Sequence, residues 1–253
     1  MSEARKVSFI SLALVRGLIF MVVGALVGMA LVSGIRLLMG LAVWDPNTFG
    51  FTEPAWVMGA LLGAVGFMIG TGVMSDWFTW MKGRGTSEHP HDDFSSGAAR
   101  YFGVSYDHKV IGIQYGVTSL LMFLTAGLFA IIFRTELVAP ELQFLQLNTY
   151  NTLMSLHGMV MIVSILLGIA AYMNYLVPMM IGASDMAFPR LNAFAFWIAV
   201  PAGVILLSSM FLGGFDTGWT GYPPLSVRAP LGMQMFFLGV SLAGFSSILG
   251  ALN

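Results

Sequence analysis

A single histidine lies inside a long apolar segment of the chain. His157 stands between Leu156 and Gly158, and the residues on either side are mostly hydrophobic. A histidine in such a segment can be a hydrogen-bonded structural residue, an axial ligand of a haem iron, or a relay group for protons. The isolated residue leaves these roles open, although the glycine beside it would leave room for a flat macrocycle.

Charged residues near the ends of apolar segments form a second group. Arg134 and Glu136 close one such segment, where Arg134 is either an anchor at the membrane surface or a guanidinium donor to the polar edge of a cofactor. Asp185 lies in a polar turn flanked by Asn174 and Asn192. The turn is either solvated or the mouth of a proton path whose amides order water. Collecting protons would require Asp185 to be hydrated and near its ordinary pKa.

The longest polar stretch runs from residue 76 to residue 109 and contains the sequence His89-Pro90-His91-Asp92-Asp93. The plainer interpretation is a solvated loop between two apolar segments. A metal site is the alternative, but Pro90 stiffens the spacing and His108 is the one further histidine nearby.

The composition requires a membrane environment for these residues. The chain has 253 residues, no cysteine, 57% hydrophobic residues and only 9% charged residues, against about 25% charged residues in an average soluble protein. These values exclude soluble and disordered classes, and the lack of cysteine excludes disulfides, thiolate metal sites and cysteine nucleophiles. A net charge of −1 gives no signature for binding nucleic acid.

A bilayer core about 30 Å thick requires about 20 apolar residues of helix, and several segments of the chain meet this requirement. We therefore predict an all-α fold, a polytopic transmembrane helix bundle. The six predicted spans are 16–36, 54–74, 110–133, 150–178, 194–212 and 231–253.

The basic residues predict the orientation of these spans. The side of the N-terminus carries eight: Arg5, Lys6, Arg16, Lys82, Arg84, Arg100, Lys109 and Arg190. The other side carries Arg36, Arg134 and Arg228. Because cytoplasmic loops are enriched in Lys and Arg, we expect a cytoplasmic N-terminus. His157 precedes Pro178 by 21 residues, or about 31 Å of helix, which places His157 toward the outer face and Asp185 at the inner face.

From His108 onward, several motifs follow one another in a specific order. They are Arg134–Leu137, His157-Gly158 with Met161-Ile162, Asn174–Asn192, Thr217–Ser226 and Ser246–Asn253. In these motifs the chain resembles subunit I of the haem–copper terminal oxidases of type A, the cytochrome c oxidase family. The resemblance implies that residues 110–253 are the first four core helices of a longer twelve-span core. Residues 1–75 are then an added N-terminal transmembrane hairpin and residues 76–109 a cytoplasmic linker, and we expect the chain to be the N-terminal portion of a longer subunit.

The resemblance implies a role for individual residues. His157 would be an axial ligand of the low-spin haem, and Arg134 would bind a peripheral group of that haem. Glu136 matches a position that binds a calcium or sodium ion in some relatives, and Asp185 matches the entrance of the D proton pathway. Matching polar positions along that pathway are Tyr115, Asn174, Asn192, Ser246, Ser247 and Asn253, and residues near the outer edge of the haem pair are Trp219 and Tyr222.

The implied activity is reduction of oxygen to water, coupled to proton pumping across a prokaryotic plasma membrane. The implied cofactors are low-spin and high-spin haem, expected to be haem A, and copper bound outside this segment. The implied partners are oxidase subunits II and III, the remainder of subunit I, and cytochrome c or a similar carrier as the electron donor. A quinol oxidase of the same family is an alternative. Outside the family, the alternatives are a haem-free proton-coupled transporter and a structural membrane anchor.

Overall fold

The computed structural model of the chain describes residues 12–87 and 97–253. Arg5, Lys6 and the motif His89–Asp93 lie outside these residues. Within them the chain forms eight α-helices and one pair of short antiparallel strands. The helices are α1 (Ala13–Leu38), α2 (Glu53–Thr71), α3 (Ser75–Met81), α4 (His108–Glu136), α5 (Leu147–Ile181), α6 (Pro189–Ser208), α7 (Leu225–Arg228) and α8 (Leu231–Ala251), and the strands are β1 (Trp44–Asp45) and β2 (Gly50–Phe51).

The long helices confirm the predicted all-α, polytopic bundle. Six of them, α1, α2, α4, α5, α6 and α8, are long and apolar enough to cross a membrane. The helix ends differ from the predicted spans by a few residues, most of all at the start of α6. Helix α6 begins at Pro189 rather than at residue 194. The first backbone N–H groups of a helix have no partner within it, so proline, which has no N–H, is well suited to this position. The short helix α3 lies in the stretch predicted as a linker, and its seven residues are too few to show a membrane-spanning pattern.

Helices α4 and α5 run antiparallel and are joined by polar contacts at three levels. His108 Nδ1 lies 2.8 Å from the carbonyl oxygen of Asn174. Ser119 and Ser164 each donate a hydroxyl hydrogen bond to the other's carbonyl oxygen, at 2.8 and 2.9 Å. His157 Nδ1 lies 2.8 Å from the carbonyl oxygen of Ala126. We call the end of the bundle with the starts of α4 and α6 the Asp185 end, and the opposite end the His157 end.

Helices α1 and α2 form a hairpin whose two backbones touch at glycine. A Cβ placed on Gly28 would lie 2.6 Å from the carbonyl oxygen of Met58, and one on Gly70 would lie 2.7 Å from that of Arg16. Small residues allow helices in a membrane to approach closely enough for van der Waals contact between backbones. The hairpin therefore depends on the absence of side chains at these positions.

The hairpin is attached to α6 and α8 at three heights. At the Asp185 end, Arg190 forms an ion pair with Asp76. In the middle, the rings of Phe67 and Trp197 lie 6.1 Å apart. At the His157 end, Gln234 Nε2 donates to Glu53 Oε2 at 2.6 Å. Helix α2, with Asp76 of the following helix α3, thus contacts α6 and α8 at both ends and in the middle, while much of α1 is exposed.

Candidate functional site

The loop between α5 and α6 holds Asp185 at one end of the bundle. Helix α5 ends at Gly182, whose left-handed backbone (φ 72°) turns the chain toward α6. The half-buried carboxyl of Asp185 accepts a hydrogen bond from the Met186 N–H at 2.7 Å. The carboxyl also lies close enough to the backbone N–H of His108, in the first turn of α4, for that group to lower its pKa. The anion therefore lies at the positive end of a helix dipole.

Partial burial changes the acidity of this carboxyl. Burial raises the pKa of Asp185 above its ordinary value, while the N–H groups of Met186 and His108 act in the opposite direction. This burial arises because the loop shields the carboxyl from part of the solvent. A raised pKa lets the carboxyl hold a proton at higher pH than an exposed aspartate does.

A cleft of about 710 Å³ opens from this loop between α5, α6 and α8. Toward the middle of the bundle its walls are apolar, with Met159, Leu206 and Val240. Its polar walls are concentrated at the Asp185 end. Nearly all of the residues proposed for the proton pathway line this one cleft: Tyr115, Asn174, Asp185, Ser246, Ser247 and Asn253.

The remaining predicted pathway residue, Asn192, lies behind the cleft wall. Its Nδ2 donates to Asn174 Oδ1 at 2.6 Å, and both side chains are buried. Asn253 Oδ1 accepts the Phe188 N–H at 2.9 Å, which joins the end of α8 to the Asp185 loop. Ser246 donates to the carbonyl oxygen of Ala195 at 2.7 Å. The cleft is thus lined by groups that can both donate and accept hydrogen bonds, as a chain of water molecules requires.

His157 lies at the opposite end, half-buried between α4 and α5. Since the carbonyl oxygen of Ala126 can only accept, Nδ1 carries the hydrogen and the lone pair is left on Nε2. The ring of Phe133 packs edge-on at 5.6 Å and fixes the orientation of the imidazole. A Cβ on Gly158 or on Gly127 would meet no atom within 4 Å, so space is open beside the ring. An oriented imidazole with one nitrogen bonded to a carbonyl is the usual form of a metal-ligating histidine, so these residues fit a haem iron.

Arg134, Trp219 and Tyr222 also lie at the His157 end. Arg134 is exposed in the last turn of α4. Trp219 and Tyr222 lie between α6 and α8 and are 60% and 73% exposed. The structure therefore places these side chains at the surface, on the same end as His157 but outside the packed core.

Glu136 is buried at the end of α4 and is fully engaged with the following loop. Its Oε1 accepts the Gln143 N–H at 2.6 Å, and its Oε2 accepts the N–H groups of Phe144 and Leu145, both at 2.9 Å. A calcium ion requires six to eight oxygen ligands. Among residues 12–87 and 97–253, no three acidic or histidine side chains form such a group. The three N–H donors to Glu136 hold the loop after α4, and the calcium or sodium ion that the resemblance implies at this residue stays a prediction.

His108 is a residue of this site that the sequence did not indicate. Its side chain is 3% exposed and lies under the Asp185 loop, against Asn174. Its partner is a backbone atom, which no side-chain motif shows. The one available signal was Pro178, four residues after Asn174.

The fold and the site define a polytopic helical membrane protein. An oriented histidine lies at one end of its bundle, and a polar cleft with a carboxylate lies at the other. The family of cytochrome c and quinol oxidase polypeptide I matches residues 110–253, more than half of the chain. The chain therefore belongs to this family.

Individual relatives agree with this family. Cytochrome c oxidase subunit 1 of Synechocystis sp. is 50% identical over 170 residues, covering 66% of this chain and 30% of the relative. The subunit 1 of Thermostichus vulcanus is 51% identical over 156 residues, or 60% of this chain and 28% of the relative. Cytochrome c oxidase polypeptide 1 of Halobacterium salinarum is 36% identical over 211 residues, or 78% of this chain and 35% of the relative. The chain thus spans about a third of the length of these curated relatives.

Proposed function

We propose that this chain forms part of the catalytic subunit of a proton-pumping terminal oxidase that reduces oxygen to water. The observation that carries the proposal is the separation of two kinds of group along one helix. His157, with its Nε2 lone pair available, lies near the start of α5, and the cleft with Asp185 lies at its end. A respiratory oxidase needs electrons and protons to enter from different sides, and this arrangement keeps the two sites apart.

At the His157 end, we propose that Nε2 is an axial ligand of a low-spin haem, expected to be haem A. Such a haem, when bound, accepts and passes on single electrons. The Ala126 carbonyl and the Phe133 ring hold the imidazole in place. Arg134 would offer its guanidinium donors to a peripheral group of the haem, with Trp219 and Tyr222 near its outer edge. The high-spin haem and the copper would be bound by parts of the oxidase outside this segment.

At the Asp185 end, we propose that protons enter through the D pathway. Asp185 would take up a proton at the mouth and release it to water in the cleft. The amides and hydroxyls of Asn174, Ser246 and Asn253 would orient that water without trapping charge, since none of them titrates near neutral pH. Asn192 would hold Asn174 in place. Tyr115 and Ser247 complete the polar lining.

The same proposal extends to the surroundings of the chain. We propose a multi-pass protein of a prokaryotic plasma membrane with a cytoplasmic N-terminus, so that Asp185 faces the cytoplasm. The partners would be oxidase subunits II and III and the remainder of subunit I, and the electron donor cytochrome c or a similar carrier. Thr125, Phe129, Thr149 and Thr152 stand where a quinol site would place charged or amide groups, which favours this donor over a quinol.

The pathway is tested with Asp185→Asn in the assembled oxidase. We expect slower oxygen consumption and weaker pumping with unchanged haem absorbance, because the amide cannot take up and release a proton. Glu141→Gln is the matched control, since it removes an exposed carboxylate at the His157 end. Normal turnover and pumping in Asp185→Asn would refute the pathway, and would be expected of a structural anchor.

The haem ligand is tested with His157→Ala in the same complex. We expect loss of the low-spin haem absorbance, because no second side chain offers an oriented nitrogen at this place among the described residues. A haem-free transporter would show no haem band in either form, and an unchanged low-spin spectrum would refute the ligand assignment.

A further inference from the structure

A carbonyl oxygen near the end of α5 lacks its helical donor. In an α-helix the carbonyl of residue i accepts the N–H of residue i+4. Residue 178 is a proline inside α5, and proline has no N–H. The carbonyl of Asn174 therefore needs a partner from elsewhere, because an unpaired buried carbonyl is costly.

His108 supplies that partner. Its Nδ1 lies 2.8 Å from the carbonyl oxygen of Asn174, and its side chain is buried. Because a carbonyl oxygen only accepts, Nδ1 must carry the hydrogen in this contact. One turn further along α4, a Cβ on Gly112 would lie 3.0 Å from the Cβ of Tyr175, so the two helices meet closely at this level.

The same residue also contacts the proposed proton entrance. The backbone N–H of His108 lies near the Asp185 carboxyl and lowers its pKa. The Asn174 side chain, on the other side, receives Asn192 Nδ2 at its Oδ1. His108 thus lies between the Asp185 carboxyl at the mouth of the cleft and the backbone of Asn174, to which its ring is hydrogen-bonded.

We propose that His108 is a positioning residue for proton entry: its Nδ1–H occupies the carbonyl freed by Pro178 and so fixes Asn174 relative to Asp185. The proposal rests on the proposed role of Asp185. This role requires only a hydrogen-bond donor, so the imidazole keeps the same charge throughout. An asparagine at position 108 would carry an N–H donor at the same distance along the side chain as Nδ1.

The test is a mutant cycle in the assembled oxidase, reconstituted in vesicles. The variants are His108→Ala, His108→Asn, Pro178→Ala and the double variant His108→Ala/Pro178→Ala. The readouts are the rate of proton uptake and the thermal unfolding temperature, with haem absorbance as the measure of assembly. Pro178→Ala restores the helical N–H donor that the Asn174 carbonyl lacks. In that background the ring of His108 should no longer be needed to hold Asn174 in place.

We expect His108→Ala to slow proton uptake about tenfold, because it leaves a buried acceptor unpaired. His108→Asn should stay within about twofold of the unaltered oxidase, since its amide keeps the donor. The double variant should match Pro178→Ala alone in both readouts. Such non-additivity is the signature of two residues acting on one group.

Two results would overturn the proposal. If His108→Asn is as slow as His108→Ala and Pro178→Ala gives no rescue, the titration of the imidazole itself is required. If the effects of the two substitutions simply add, the residues act independently. Asp185→Asn separates this from the proposed function: full proton uptake in that variant refutes the pathway, whereas slow uptake with an additive cycle refutes only the role of His108.

Discussion

Asn192 of α6 donates its side-chain amide to the side-chain oxygen of Asn174 of α5 at 2.6 Å, although the two residues lie 18 positions apart in the chain. Both side chains are buried, and Asn174 lines the cleft that begins at Asp185. The bond fixes which atom of the Asn174 amide faces its neighbour. It also joins the two helices that bracket the Asp185 loop.

This bond predicts the effect of Asn192→Leu. The leucine fills a similar volume but leaves Asn174 Oδ1 without a partner, so we expect a loss of about 1–3 kcal/mol in the free energy of unfolding. Proton uptake should slow as Asn174 turns. Thermal unfolding and uptake by vesicles measure the two effects. Asn151→Leu, half-buried near the start of α5, is the control for introducing leucine, and equal losses in both variants would contradict the prediction.

The acidity of Asp185 predicts a dependence of stability on pH. Because burial raises its folded-state pKa, the protonated form favours the folded chain. This contribution is present below the ordinary pKa of an aspartate and is lost as the pH rises through the folded value. At pH 7, Asp185→Asn should therefore unfold at a higher temperature than the unaltered protein. The gain in free energy of unfolding should be less than about 1 kcal/mol, because solvent screens the carboxyl. The difference should vanish near pH 3, and a variant less stable at pH 7 would contradict this.

The hydrogen bonds of Glu136 predict that its carboxylate holds the loop without a cation. Glu136→Gln replaces an anionic acceptor of three N–H groups with a neutral amide that has one acceptor oxygen. We expect a lower unfolding temperature, because hydrogen bonds to a charged acceptor are stronger than those to a neutral one. The exposed Glu141→Gln should change the free energy of unfolding by less than about 0.5 kcal/mol. A calcium chelator should leave the unfolding temperature unchanged; a drop that added calcium reverses would instead show a bound ion.

The close contact of α1 and α2 predicts opposite effects for two glycines of one helix. Gly28→Ala would bring a methyl group to within 2.6 Å of the Met58 carbonyl oxygen, so the helices must separate. We expect a loss of about 1–3 kcal/mol. Gly34→Ala meets no atom within 4 Å, and alanine is the better helix former by about 1 kcal/mol. Thermal unfolding of the two variants measures the contrast, and similar losses in both would refute close packing at Gly28.

The spans were predictable because apolar length is a local property of the chain. The bundle follows from it, as do the positions of His157 and Asp185 at opposite ends. The predicted start of α6 was wrong by several residues, since Arg190 and Asn192 are polar and Pro189 is typical of a turn, so these residues do not look like part of a span. Helix α3 was missed for a similar reason, because seven residues carry too little pattern.

The contacts of the site were less predictable, because many of its partners are backbone atoms. The three amides around Glu136 depend on the path of a loop, and no side-chain motif indicates them. His108 was noted only as a neighbour of other histidines. Its actual partner is the carbonyl oxygen of Asn174, which is available because Pro178, four residues further along α5, has no N–H. Predicting this contact would require combining two distant parts of the sequence.

The three polar contacts between α4 and α5 also limit how these helices can move. Sliding by one helical turn, about 5.4 Å, would break the contacts of His108, Ser119 and His157 together and would leave each buried acceptor facing the wrong neighbour. Helices α4 and α5 therefore behave as one rigid unit. Any motion must carry the two helices together, so the start of α4 stays level with Asn174 at one end while Ala126 stays level with His157 at the other.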